Sequence, residues 1–275
     1  MLSDWINIRD LLALALVFMP LERLFPVHRR EPVFRQGMVT DLLHYFLSGL
    51  LISLGLMAIL HVAITIGEQA IPAGVQQWSG RMPLVFAVPA IIIIADLGFY
   101  FAHRMLHSVP FLWRFHAVHH SSRQLDWLAA YRVHPIDQVI VKSVSLVPVF
   151  VLGFSELAIL CAALVYHWHS IFLHSNIRAP FGPLKWIIAS PEFHHWHHAD
   201  AAEAHDRNFA GQIALWDVIF STAHMPGPMP GQYGINDPVP HRYFAQLAYP
   251  FLESDAPTSA SRPVDKTTEE RSIRT

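Results

Sequence analysis

Five apolar stretches punctuate the chain. Leu42 to Ile66 and Pro83 to Phe101 are long enough to cross a bilayer as helices, because the hydrocarbon core takes about 20 residues at helical rise, and the second contains Ile91-Ile92-Ile93-Ile94. Val139 to Phe154 and Leu157 to Leu173 are shorter and joined by Ser155-Glu156. This pattern predicts a tight helical hairpin dipping through, or nearly through, the bilayer. Leu11 to Met19 is too short to span comfortably, and Glu22 and Arg23 limit its extension, so it spans with help or lies in the interface. Asp4, Arg9 and Asp10 precede it and no small-residue cleavage site follows, so it does not read as a secretory signal and is expected to remain in the protein. No internal repeat is visible. The polar tail from Asp255 to Thr275 is expected to be disordered.

Composition agrees with a membrane protein: of 275 residues, 53% are hydrophobic and 15% charged, and the mean hydropathy is +0.32. That apolar fraction, 13 glycines without a period and a single cysteine exclude disordered, collagen-like and disulfide-stapled classes. Cys161 lies in an apolar run and reads as packing. A net charge of -2 offers no basic face for phosphates, so no nucleic-acid partner is expected. Loop charge orients the helices. Arg23, Arg29, Arg30 and Arg35 lie between the first two apolar stretches, whereas only Arg81 lies between Ile66 and Pro83. The positive-inside rule puts the former side in the cytoplasm, and Arg104, Arg114, Arg123, Arg132, Arg178 and Lys185 return there.

Histidine is the anomaly: there are 19, fourteen of them in two windows, six from His103 to His134 and eight from His167 to His205. His103 and His107 stand four residues apart and share one helical face with Asp96 and Tyr100, all within about 60°. His116, His119 and His120, and again His194, His197 and His198, repeat an H-x2-H-H spacing. One such pair is weak evidence, since a helical histidine more often satisfies a backbone group. Eight imidazoles gathered at one membrane face are different, because unpaired polar groups near hydrocarbon are costly. Metal binding is the expected reason. Eight or more histidines overfill one ion, so two ions fit better. Imidazole suits iron, zinc, copper and nickel alike. No H-E-x-x-H peptidase motif is present. Asp96, Asp126, Asp200 and Asp206 are candidates to orient ring N–H groups. His28, His44, His61, His224 and His241 lie outside the clusters and read as interfacial or surface residues. A membrane metal-dependent hydrolase and a non-enzymatic metal-binding membrane protein remain open alternatives, although a transporter would string its ligands across the bilayer.

From Asp96 to Thr222 the chain resembles the fatty acid hydroxylase and sterol desaturase superfamily of integral-membrane, non-haem diiron enzymes. The resemblance rests on Asp96 to His107, Trp113-Arg-Phe-His-Ala-Val-His-His-Ser121, His134-Pro-Ile-Asp137, His174-Ser-Asn176, Ser190-Pro-Glu-Phe-His-His-Trp-His-His198, Asp206-Arg-Asn-Phe209 and Leu215-Trp-Asp-Val-Ile-Phe-Ser-Thr222. Ala210 and Ser221 stand where the family commonly has glycine. The resemblance implies that His103, His107, His116, His119, His120, His174, His194, His197 and His198 bind two iron ions, with zinc as an alternative occupant on purification, and with His134 and His169 as second choices. It implies an all-α fold of three or four spanning helices or half-hairpins, capped on the cytoplasmic side by a histidine-rich helical cap. Residues 1–82 would be N-terminal membrane segments, 83–224 the catalytic domain and 225–275 a C-terminal extension.

The activity so implied is O2-dependent hydroxylation, desaturation or ether cleavage at a C–H bond of a lipid: sterol, fatty acyl or related. Trp113, Phe115, Trp127, Trp168 and Trp196 are candidates to line the site, or else to anchor it at the interface. Two external electrons are needed per turnover, and the sequence has no nucleotide fingerprint, no haem motif and too few cysteines for an iron–sulfur cluster. A separate ferredoxin or cytochrome b5 type donor is therefore expected, steered by Arg104, Arg114, Arg123 and Arg132 unless these are topology signals alone. The expected location is the plasma (inner) membrane in a bacterium or the endoplasmic reticulum in a eukaryote.

Overall fold

The computed structural model describes residues 8–29 and 31–252. Among them the fold is all-helical, with only isolated bridges pairing Pro26 with Ile177 and Ala199 with Tyr233. In order the helices are α1 (Ile8–Leu24), α2 (Met38–Leu43), α3 (Gly49–Ala70), α4 (Ala73–Gly80), α5 (Leu84–Ser108), α6 (Pro110–His120), α7 (Pro135–Val151), α8 (Glu156–His174), α9 (Pro191–His197), α10 (Leu215–Ile219) and α11 (Tyr243–Ala248). A π-helical segment, His44–Ser48, fuses α2 to α3. Among the described residues, three helical runs are long and apolar enough to cross a membrane: Met38–Ala70, Leu84–Ser108 and Glu156–His174. They contain the two long apolar stretches and the second arm of the hairpin. The first arm, α7, is a 17-residue helix that turns into α8 where Ser155 caps the new helix by accepting from the Ala158 N–H.

Proline sets where the helices of the site begin. Pro110, Pro135 and Pro191 occupy the first turns of α6, α7 and α9, where a missing N–H costs nothing and a fixed φ already suits a helix. Val109 is held extended before Pro110, which ends α5 and folds α6 back against it. Helices α5 and α7 touch backbone to backbone at Gly98, where a Cβ would lie 2.8 Å from the Val144 carbonyl oxygen. Leu51, Leu54 and Met57 of α3 and Leu157, Leu160 and Leu164 of α8 are exposed. Such apolar flanks suit hydrocarbon rather than water. Tyr100, Leu173, Phe193 and Phe209 form the core behind the histidines.

Helix α1 runs through the short apolar stretch to Leu24 and is not among the helical runs long and apolar enough to cross a membrane; the Glu22 carboxylate near its end is buried and accepts the N–H groups of Trp127 (2.8 Å) and Asn176 (2.9 Å). One expectation is corrected here. His44 is not a surface residue: it is buried in the π-helical segment between Ser48 (3.0 Å) and Gln246 (2.7 Å). The tail from Asp255 lies outside the described residues.

Candidate metal centre

The histidine side chains form two groups. His103, His107, His116, His120 and His197 make one; His119, His174, His194 and His198 make the other. Within each group the nearest nitrogens all lie within 4.8 Å of one another, and all nine residues are buried. These are the nine that the boxes and His174 single out. The division explains the H-x2-H-H spacing. In each box the i, i+4 pair, His116 with His120 and His194 with His198, belongs to one group, while the i+3 member, His119 or His197, belongs to the other. Each box therefore straddles both groups. The groups abut, with ring centroids of His120 and His198 4.4 Å apart.

Protons on these rings can be located from their partners. His103 Nδ1 faces the Phe209 carbonyl (2.7 Å), His119 Nδ1 that of Arg132 (3.0 Å), His174 Nδ1 that of Ser170 (2.8 Å) and His197 Nδ1 that of Arg207 (2.8 Å). A carbonyl only accepts, so in each ring Nδ1 carries the proton and Nε2 presents a lone pair. His116 does the same, giving its Nδ1–H to the Asp137 carboxylate at 2.6 Å. Yet His103 Nε2 lies 2.9 Å from His116 Nε2, and His174 Nε2 lies 3.2 Å from His119 Nε2. Lone pair confronts lone pair in both groups, which is repulsive unless a cation lies between them. Two nitrogens about 2.1 Å from one ion, at right angles, sit about 3.0 Å apart. In addition, His107 Nε2 and His197 Nε2 are buried without any partner. The donor set thus fits two metal ions. Burial holds His116 down to about 3, and burial together with neighbouring imidazoles holds His119, His120, His194, His197 and His198 well below the ordinary range. Neutral rings are the form that ligates.

Other candidates fall elsewhere. His134 caps α7, its Nδ1 accepting from the Ile136 N–H (3.2 Å) while Nε2 donates to the Leu247 carbonyl (3.2 Å). His169 Nε2 donates to the Ala189 carbonyl (3.0 Å). Both are spent on backbone and join neither group. Among the acids expected to orient rings, Asp206 approaches His107 Nδ1 at 3.3 Å, whereas Asp200 faces Arg123 and Asp126 faces Arg35. Asp96 acts one step further out: it accepts the N–H groups of Gly211, Gln212 and Ile213 at 2.8 to 3.1 Å and so anchors the loop that carries Phe209. A Cβ at Gly211 would lie 2.8 Å from the Asp96 carboxylate, so glycine permits the approach. Asp137, which contacts His116, stands in the sequence as the last residue of His134-Pro-Ile-Asp137. Its role shows only when α6 meets α7.

Of the aromatic candidates, Trp113 borders His107 and His120, at 5.0 and 5.4 Å between centroids. Phe115 packs on His134 and Phe251, Trp127 joins the α1 cluster, Trp168 stacks on Phe18 and Trp196 meets His224. Phe99 and Phe209 border the histidines instead, although nothing in their spacing marked them. Arg132 is buried in an ion pair with Asp41 and offers no charge to a partner protein.

A family model described as fatty acid hydroxylase matches residues 88–222. The chain belongs to this family. It is 30% identical over 251 residues to ornithine lipid hydroxylase OlsE of Rhizobium tropici, covering 90% of this chain and 76% of the relative. Alkylglycerol monooxygenase of Homo sapiens is 32% identical over 134 residues, 46% of this chain and 28% of the relative. Methylsterol monooxygenase 1 of Rattus norvegicus is 27% identical over 140 residues, 47% of this chain and 44% of the relative. The chain thus spans about three quarters of the first and less than half of the other two. No solved structure matches it. The relatives are lipid hydroxylases and monooxygenases by name, which groups the chain with membrane oxidoreductases.

Proposed function

We propose that the protein is a membrane-bound diiron oxygenase that hydroxylates or desaturates a C–H bond of a lipid. The observation that carries this reading is the pair of opposed lone pairs, His103 against His116 and His119 against His174, one in each group. His103, His107, His116, His120 and His197 would hold one iron and His119, His174, His194 and His198 the other. Bound iron would supply O2 activation with two electrons from a separate redox protein. The chain would keep the nine rings neutral and oriented, and Trp113, Phe99 and Phe209 would shield them from water. Residues 83–224 would form the catalytic unit, with the histidine face in the cytoplasm on the positive-inside argument. The long match to an ornithine lipid hydroxylase favours a polar membrane lipid as substrate.

Lipid profiling under air, with and without the protein, tests this. The expected result is a lipid heavier by one oxygen, or lighter by two hydrogens, whose formation needs O2 and vanishes in His119→Ala and His197→Ala while membrane insertion persists. Ester or amide hydrolysis without oxygen uptake would overturn it. Reconstitution in liposomes with lipid, O2 and NAD(P)H should sustain turnover only after a ferredoxin or cytochrome b5 and its reductase are added.

A further inference from the structure

We propose that Arg35 and Asp41, which precede the residues matched by the family model, are positioning residues for His119 and act on it through the backbone carbonyl of Arg132. This rests on the reading of His119 as a metal ligand. Between α6 and α7 the chain makes one 3-10 turn, Trp127–Tyr131, capped at its start by Asp126, whose carboxylate accepts the N–H groups of Leu128 (3.1 Å) and Ala129 (2.9 Å). Arg132 follows the turn and aims its carbonyl at His119 Nδ1, 3.0 Å away. Both ends are tied to the same two residues. Arg35 donates through Nε and Nη2 to the two oxygens of Asp126, each at 2.7 Å, and through Nη2 to Asp41 at 2.5 Å. The other oxygen of Asp41 accepts from Arg132 Nε at 2.5 Å. The side chains of Asp41, Arg35 and Arg132 are only 0%, 2% and 7% exposed. Two arginines and two aspartates thus close a neutral clamp that is buried at Asp41, Arg35 and Arg132 and 20% exposed at Asp126, and removing a buried member leaves a buried charge uncompensated.

The consequence falls on one group of histidines. In the group of His119, His174 donates within its own helix to Ser170, and the Nδ1 atoms of His194 and His198 have no partner. Among the described residues, the Arg132 carbonyl is therefore the one acceptor outside a ring's own helix that orients this group. The other group is held by Phe209, Asp137, Arg207 and Asp206. Loss of the clamp should loosen one ion and spare the other.

Cobalt(II) titration of the metal-stripped full chain in detergent, followed by its visible ligand-field absorption, tests this. Wild type should take up two equivalents, and Asp41→Asn should keep one at wild-type affinity while the other weakens about 10 to 100-fold. Arg35→Gln should reproduce that split. Asp41→Asn combined with Asp137→Asn should weaken both equivalents, since Asp137 holds His116 of the other group. Two unweakened equivalents in Asp41→Asn overturn the proposal alone, while a wild type that binds no cobalt overturns the metal reading with it. Equal weakening of both equivalents in Asp41→Asn and Arg35→Gln also overturns it, because that marks a role in the whole fold.

Discussion

His103 Nε2 and His116 Nε2 lie 2.9 Å apart, yet each ring has its proton on the far nitrogen, His103 toward the Phe209 carbonyl and His116 toward Asp137. Neither can donate to the other. The contact is repulsive between neutral rings and is relieved by a cation between them, so the chain's own hydrogen bonds make this a place where a metal ion would fit.

Metal removal should therefore unsettle the fold as well as stop turnover. A ligand at 100 times its dissociation constant stabilises the folded state by about 2.7 kcal/mol. Chelation should lower the melting temperature of the detergent-solubilised protein, and re-addition of iron should restore it; metal analysis before stripping should give two ions per chain.

Acid should destabilise the metal-free protein. Six rings outside the spanning helices, His116 at about 3 among them, titrate below the ordinary value of 6.5 because they are buried. Between the folded and unfolded values the unfolded chain binds more protons, so stability is complete above about 6.5 and is lost as pH falls below it. Thermal melts of metal-free protein at several pH values check this; a melting temperature that does not fall from pH about 7 to about 5 would contradict the burial of these rings.

Asp96→Ala should act through the loop rather than on a ligand directly. Two buried N–H groups, those of Gly211 and Gln212, and the part-buried N–H of Ile213 lose their acceptor, and each unsatisfied buried donor costs about 1 to 3 kcal/mol. The expected outcome is a stability loss of about 3 kcal/mol or more, read by denaturant titration, with faster proteolysis near Phe209. Unchanged stability would assign the carboxylate no anchoring role.

Ser221→Gly should stabilise. Ser221 adopts a left-handed backbone, φ 59°, which costs a residue with a Cβ roughly 1 to 2 kcal/mol, partly offset by the greater chain entropy of glycine. A gain of about 0.5 to 1 kcal/mol is expected in denaturant melts. The Arg207 contact to the Ser221 carbonyl should survive, because it uses only the backbone.

Much of the site was readable because its residues repeat at helical spacing. A four-residue interval places His103 above His107, and H-x2-H-H places three rings on adjacent positions, whatever the rest of the fold does. His174 stood apart from the boxes and came only with the family resemblance. Asp96 was legible as a buried acid in a spanning helix, but its partners lie more than a hundred residues away and no periodicity reveals them. The contacts of Phe99, Phe209 and Asp137 with the histidines were hidden for the same reason.

The amino-acid sequence by itself determined that the chain is helical and membrane-embedded and which histidines are available in register. These are local properties, set by apolar run length and the 3.6-residue turn. Only the tertiary structure decided how the nine rings divide, which nitrogen of each faces inward, and that Arg35 and Asp41 reach His119 through Arg132. The crossing of helices and the acceptor each ring finds on a distant segment set those features, and both depend on contacts between residues far apart in the chain.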